Sequence, residues 1–164
     1  MSNIAPSNIA PKALQDMHSI RPEIINLRIP LLSAGMSRDL LAKGENSTFR
    51  IHCYSTGMGE KHGFHAHIEE EHLFIVLQGA AIFSGLDGKL PAVGKNHGVW
   101  LPKGCFYEFY NPGPEPLVVL RFGACEKGAD ESLRLTPEGA PIKGRSSANP
   151  ELAVPKIIEG KYYE

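Results

Sequence analysis

Two histidines separated by one residue, His65 and His67 in "HAH", are the part of this chain best suited to chemistry. On a strand, positions two apart point to the same side, so both imidazoles project together and can meet one first-row metal ion. They lie in "GEKHGFHAHIEEEHLFIVLQG", Gly59 to Gly79, which holds four of the seven histidines and a run of three glutamates. Gly59 allows a tight entry, a third possible ligand follows within five residues of His67, and an apolar segment ends at Gly79. An isolated pair of this type is commonly a solvated surface pair. The surrounding donors argue for a metal site.

Such a site needs strands to hold it, and the chain supplies them. "STFRIHCYS", Ser47 to Ser55, alternates Ile51 and Cys53 on one side with Arg50, His52 and Tyr54 on the other. "IINLRIPLL", Ile24 to Leu32, alternates at Ile25, Leu27, Ile29 and Leu31. "HLFIVLQG", "AAIFSG", "GVWLPKG", "FYEFYN" and "PLVVLRFGA" are further strand-length pieces, with Gly, Pro, Asp or Asn between them. Short strands at this spacing predict a small all-β sandwich or barrel. The ends differ: residues 1–20 read as a flexible arm, and 124–164 as a polar, Pro-rich tail that is partly disordered or wraps a neighbouring surface, with one helical turn at "DESLRL". The barrel is expected over 21–123.

Composition excludes other classes. A chain of 164 residues with 42% hydrophobic residues suits one core, and a net charge of -1 with no Lys/Arg-rich block gives no reason to expect nucleic acid. No run reaches the length needed to cross a bilayer, and the N-terminus lacks the pattern of a signal peptide. Cys53, Cys105 and Cys125 show no paired spacing and read as reduced thiols, so the cytoplasm is the expected location.

The pattern resembles the first motif of the cupin superfamily, G-(X)5-H-X-H-(X)3–4-E-(X)6-G. Gly59, five intervening residues, His65, His67 and a carboxylate fit it. The second motif, G-(X)5-P-X-G-(X)2-H-(X)3-N, resembles "NHGVWLPKGCFYEFYN", where Pro102, Gly104 and Asn111 fall at the family spacings. The resemblance implies a double-stranded β-helix (jelly-roll) barrel, a divalent metal ion (iron, zinc, manganese, nickel or copper), a small-molecule substrate and a homodimer.

Two departures bear on the site. Counting back from Gly79 with the family's gap gives His72 as the third ligand, whereas counting forward from His67 gives Glu71. A one-residue slip reverses a strand's facing, so only one of them points inward without a bulge. Parity groups His72 with Phe74 and Val76 and favours His72; the metal ligands are then His65, His67 and His72, with the loser facing solvent or orienting an imidazole. The second-motif histidine is replaced by Tyr107, with His97 a poor substitute for it. A phenol binds metal mainly as phenolate; otherwise Tyr107 exchanges a proton with substrate, or fills space in a metal-free barrel.

The resulting expectation is a metal-dependent enzyme for a small oxygen-rich or carboxylate molecule. Tyr107 as a proton carrier favours lyase or isomerase chemistry over dioxygenation. The alternative is a non-catalytic ligand-binding or sensing barrel. His62 reads as a loop histidine, and "EEE" as a solvated turn. Arg50, His52 and Tyr54 share one face. Turned inward they could bind a substrate carboxylate or oxygen, with Arg50 as the fork. Turned outward they are surface or dimer-contact residues, the reading favoured because Ile51 and Cys53 look like core. Arg121 is open to either face, and Phe74, Trp100, Phe106 and Phe109 read as core.

Overall fold

The computed structural model describes residues 17, 19–57, 63–130, 133–142 and 154–164. Gly59, His62 and most of the expected N-terminal arm lie outside the described residues. The chain runs through β1 (Ile29–Ala34), β2 (Met36–Lys43), β3 (Ser47–Tyr54), β4 (Ala66–His67), β5 (Glu70–Gln78), β6 (Ala80–Gly85) and β7 (Gly88–Lys89). It continues through β8 (Val93–Gly94), β9 (Gly98–Leu101), β10 (Glu108–Tyr110), β11 (Leu117–Cys125), β12 (Arg134–Leu135), β13 (Pro141–Ile142) and β14 (Lys156–Tyr163).

The central layer is a five-stranded antiparallel sheet in the order β2-β3-β11-β5-β9. The opposing layer combines β10-β6-β7, with β8 also on β6, and the short sheet β13-β12-β4. A bridge between His65 and Tyr107 ties these last two together. The layers close on Tyr54, Phe74, Val76, Ala81, Phe83, Leu101, Tyr107, Phe109, Leu117 and Val119, all buried. Phe83 and Phe109 stack with centroids 4.8 Å apart, and Phe74 lies 5.5 Å from Phe109. Aromatic rings thus fill the interior behind His72, whose ring is 5.9 Å from that of Phe74.

A second cluster, Ile29, Leu32, Ile51, Cys53 and Val118, sits on the outer face of the central sheet under the β1–β14 pair. Two sequence readings are corrected here. The first strand begins at Ile29 and does not follow the Ile25–Leu31 alternation. Ile24 is exposed, and register shifts on either side of Leu32 place Ile29 and Leu32 inward. Beyond Ala124, β11 runs on to Cys125, and β14 returns to wrap the surface of β1. In "DESLRL", Arg134 and Leu135 form β12, whereas residues 131–132 lie outside the described set.

Trp100 is not core. It stands opposite Leu73, which faces Phe122, which in turn faces Phe49, and this row runs over the outer surface. At the end of β5 the chain turns sharply at Gly79, whose φ is 74°. A Cβ there would stand 3.0 Å from the Pro116 carbonyl oxygen, so only glycine lets the chain pass.

Candidate metal centre

β5 decides which side chains enter the barrel. Its burial alternates, with Glu70, His72, Phe74 and Val76 inward and Glu71, Leu73 and Ile75 away from the interior. Glu71 is therefore on the opposite face from His72. The neighbouring strand β11 sets Arg121 opposite Phe74 and Arg50, and Gly123 opposite His72 and Thr48. From the other layer, β4 carries His67 opposite Arg134 of β12, and His65 pairs with Tyr107 through backbone hydrogen bonds in both directions, 3.2 and 3.0 Å. Residues from both sequence motifs thereby meet at one end of the barrel.

Among the described residues, His67, Glu70 and His72 form the group able to hold a metal ion, one donor atom from each lying within 4.8 Å of the others. The rings of His67 and His72 are 4.2 Å apart. His65 is adjacent but outside this group: its ring is 5.4 Å from that of His67 and 4.8 Å from that of Tyr107, and its Nδ1 lies 3.1 Å from the Gly63 carbonyl oxygen. Tyr107 Oη is 3.5 Å from His72 Nδ1.

Glu70 is the donor that the sequence reading passed over as part of a solvated turn. Its side chain is 2% exposed. Oε2 lies 2.8 Å from His72 Nε2, accepts from Arg121 Nη2 at 2.6 Å, and lies 3.7 Å from His67 Nδ1. The same Arg121 nitrogen contacts His72 Nε2. Gly123 makes room for the other oxygen: a Cβ there would fall 2.0 Å from Glu70 Oε1 and 3.0 Å from Thr48 Oγ1. The parity that favours His72 also selects Glu70, two positions earlier.

Burial keeps the imidazoles neutral. It pushes His67 down to about 2, with His72, His65, Arg121 and Arg134 acting the same way. For His72 burial outweighs the upward pull of Glu70, and the pKa falls. Burial also works to raise Glu70, but the hydrogen bond from His72 and the Arg121 guanidinium overcome it and hold the carboxylate below its ordinary value. Burial drives Tyr107 well above an ordinary phenol, against the opposing charge of Arg121, so its hydroxyl keeps its proton. Neutral His72 donating from Nε2 to Glu70 leaves Nδ1 to accept from Tyr107.

The donor set fits a divalent first-row ion: two neutral imidazoles and one ionised carboxylate. His67 Nδ1 supports this directly, being buried with no hydrogen-bond partner among the described residues, an unusual state for a polar atom.

The Arg50, His52, Tyr54 face points inward, opposite to expectation. His52 and Tyr54 are each 4% exposed, and Tyr54 belongs to the interior cluster. Ile51 and Cys53 are core as well, because β1 and β14 cover the other face of β3. His52 Nδ1 lies 2.8 Å from Tyr54 Oη, and burial pushes the Tyr54 phenol up to about 12, so the tyrosine donates. His97 is far from this chemistry: it bonds Lys95 and borders an outer groove of about 580 Å³ with Leu90, Val93 and Trp100.

Comparison with known proteins agrees with the fold. A family model described as a cupin domain matches residues 55–122. No curated protein matches the chain. Among solved structures, an uncharacterized conserved protein with a double-stranded β-helix domain from Klebsiella pneumoniae is 17% identical and covers 79% of this chain and 93% of its own, with a TM-score of 0.52. The Cnp3 cupin domain of Schizosaccharomyces pombe is 16% identical over 67% of this chain and 72% of its own, TM-score 0.52. The DMSP lyase DddQ of Ruegeria pomeroyi is 15% identical over 67% of this chain and 54% of its own, TM-score 0.51. These likenesses are of fold.

Proposed function

We propose that this chain, whose residues 55–122 match a cupin domain model, is a metal-dependent enzyme for a small oxygen-rich or carboxylate substrate. The observation that carries the reading is the convergence of His67, Glu70 and His72 donors within 4.8 Å. These three would hold the ion, with His65 beside them. A divalent ion bound there would act as a Lewis acid on a substrate oxygen.

The chain's own groups suggest the kind of reaction. Tyr107, kept protonated by burial and 3.5 Å from His72 Nδ1, is a proton donor in its resting form. A phenol that releases its proton to substrate and regains it suits lyase or isomerase chemistry over dioxygenation. Phe74, Phe83 and Phe109 fill the barrel behind the histidines and restrict the substrate to a small molecule. A DMSP lyase among proteins of this fold is compatible with elimination chemistry.

Elemental analysis of the purified protein tests the reading. Near-stoichiometric iron, zinc, manganese, nickel or copper is expected, lost in His67→Ala and His72→Ala. Metal-free protein whose melting temperature ignores added metal would overturn it. That outcome would favour a non-catalytic ligand-binding barrel, a reading supported by the Arg121 ion pair, which already neutralises Glu70.

The assembly we propose is a homodimer joined through the outer face of the central sheet, where Phe49, Leu73, Ile75, Leu120 and Phe122 line an apolar hollow. Sedimentation equilibrium should give twice the chain mass, and Leu120→Glu should give monomers. A wild-type monomer at micromolar concentration would refute it.

A further inference from the structure

We propose that Arg121 is a built-in cation that competes with the metal for Glu70 and His72, so that loading the ion requires the guanidinium to leave. The inference rests on the metal reading above and adds to it a residue that sets the site's affinity.

Two of the three donor residues are engaged by this one side chain. Arg121 Nη2 donates to Glu70 Oε2 at 2.6 Å and contacts His72 Nε2. The Glu70 lone pair that accepts from the guanidinium is not available to a metal at the same time, and the guanidinium crowds the His72 nitrogen whose own proton goes to Glu70. Charge acts the same way, since a divalent ion bound to Glu70 and His72 would face a guanidinium against the same atoms, with Glu70 the one carboxylate in the donor set. The Arg121 side chain is 11% exposed, so little solvent screens that repulsion.

The geometry also says which partner yields. Glu70 is confined: Oε1 rests in the space left by the missing Cβ of Gly123, and its strand is paired on both sides. His72 sits on the same strand, fully buried. Arg121 reaches the cluster on a long, rotatable stem, so it can withdraw without moving backbone. Once released it stands beside the bound ion with its donors unused, placed to take a carboxylate of the substrate as a bidentate fork. Metal and anionic substrate would then bind with positive coupling.

The test is a Co²⁺ titration of wild type, Arg121→Gln and Arg121→Met, followed by calorimetry and by the visible d–d bands, with thermal melting of the metal-free forms. Methionine keeps the apolar stem and covers the case in which glutamine fails to fold. Both neutral variants should bind Co²⁺ roughly 10- to 100-fold more tightly than wild type, the scale of a lost charge-assisted hydrogen bond. Metal-free, they should melt below wild type, and the gap should close as Co²⁺ saturates. Folded variants that bind Co²⁺ as wild type does, or more weakly, would overturn the competition and leave the metal site standing. Failure of wild type and both variants to bind would remove the metal reading and this inference together.

Discussion

Gly123→Ala is expected to destabilise the protein by about 3–5 kcal/mol, the range for breaking a buried charge network. The added methyl carbon would occupy the place of Glu70 Oε1, 2.0 Å away, and press on Thr48 Oγ1. A glutamate can rotate away from such a clash. Doing so takes its carboxylate from Arg121 and His72 and leaves a guanidinium buried without its acid. The cost therefore lies in the network more than in the contact. Urea unfolding of Gly123→Ala, Glu70→Ala and the double variant would show this as strong non-additivity, the double variant being little worse than Glu70→Ala alone. The glycine variant should also lose metal. Wild-type stability and wild-type metal content in Gly123→Ala would remove Glu70 from the site.

How much of this was legible in the sequence depends on whether the signal was local. Strand parity is local, and it placed His72, Phe74 and Val76 on one face; the structure sets Glu71 on the other. Glu70 was available from the same parity, but three adjacent glutamates resemble a solvated turn, and nothing local marks the middle one as buried. Arg121 could not be assigned because its facing depends on register with β3 and β5, which lie far away in sequence. The inward turn of His52 and Tyr54 was misjudged for a related reason. Ile51 and Cys53 look like core, and one buried face normally means an exposed one. Here β14 arrives from the far end of the chain to cover the second face with β1, so both sides of β3 are buried. The strands themselves were readable because turn residues and alternation are written into short segments. Their coverage was not, because it comes from a segment more than a hundred residues away.

The metal-free protein should lose stability steeply as the pH falls below about 6.5, the value of an unfolded histidine. His52, His67 and His72 are all held neutral by burial, with pKa values below that of a free imidazole. A group whose folded pKa is depressed binds its proton in the unfolded chain first. Its contribution is thus fully present above the unfolded pKa and is lost as the pH drops through and below it. Each such histidine contributes at most about 1.4 kcal/mol per pH unit, and three together about 4 kcal/mol per unit. Against a total of about 5–15 kcal/mol for a typical domain, that slope brings unfolding within a few units of neutrality. Glu70, also depressed, adds to the loss at lower pH. Urea unfolding in chelator between pH 7.5 and about pH 5 would measure the slope, converted to protons taken up on unfolding. His52→Asn, which leaves the three metal donors intact, should reduce the uptake by about one proton. A free energy of unfolding that stays flat over this range would mean that the histidines are solvated, and the convergent buried site could not then exist.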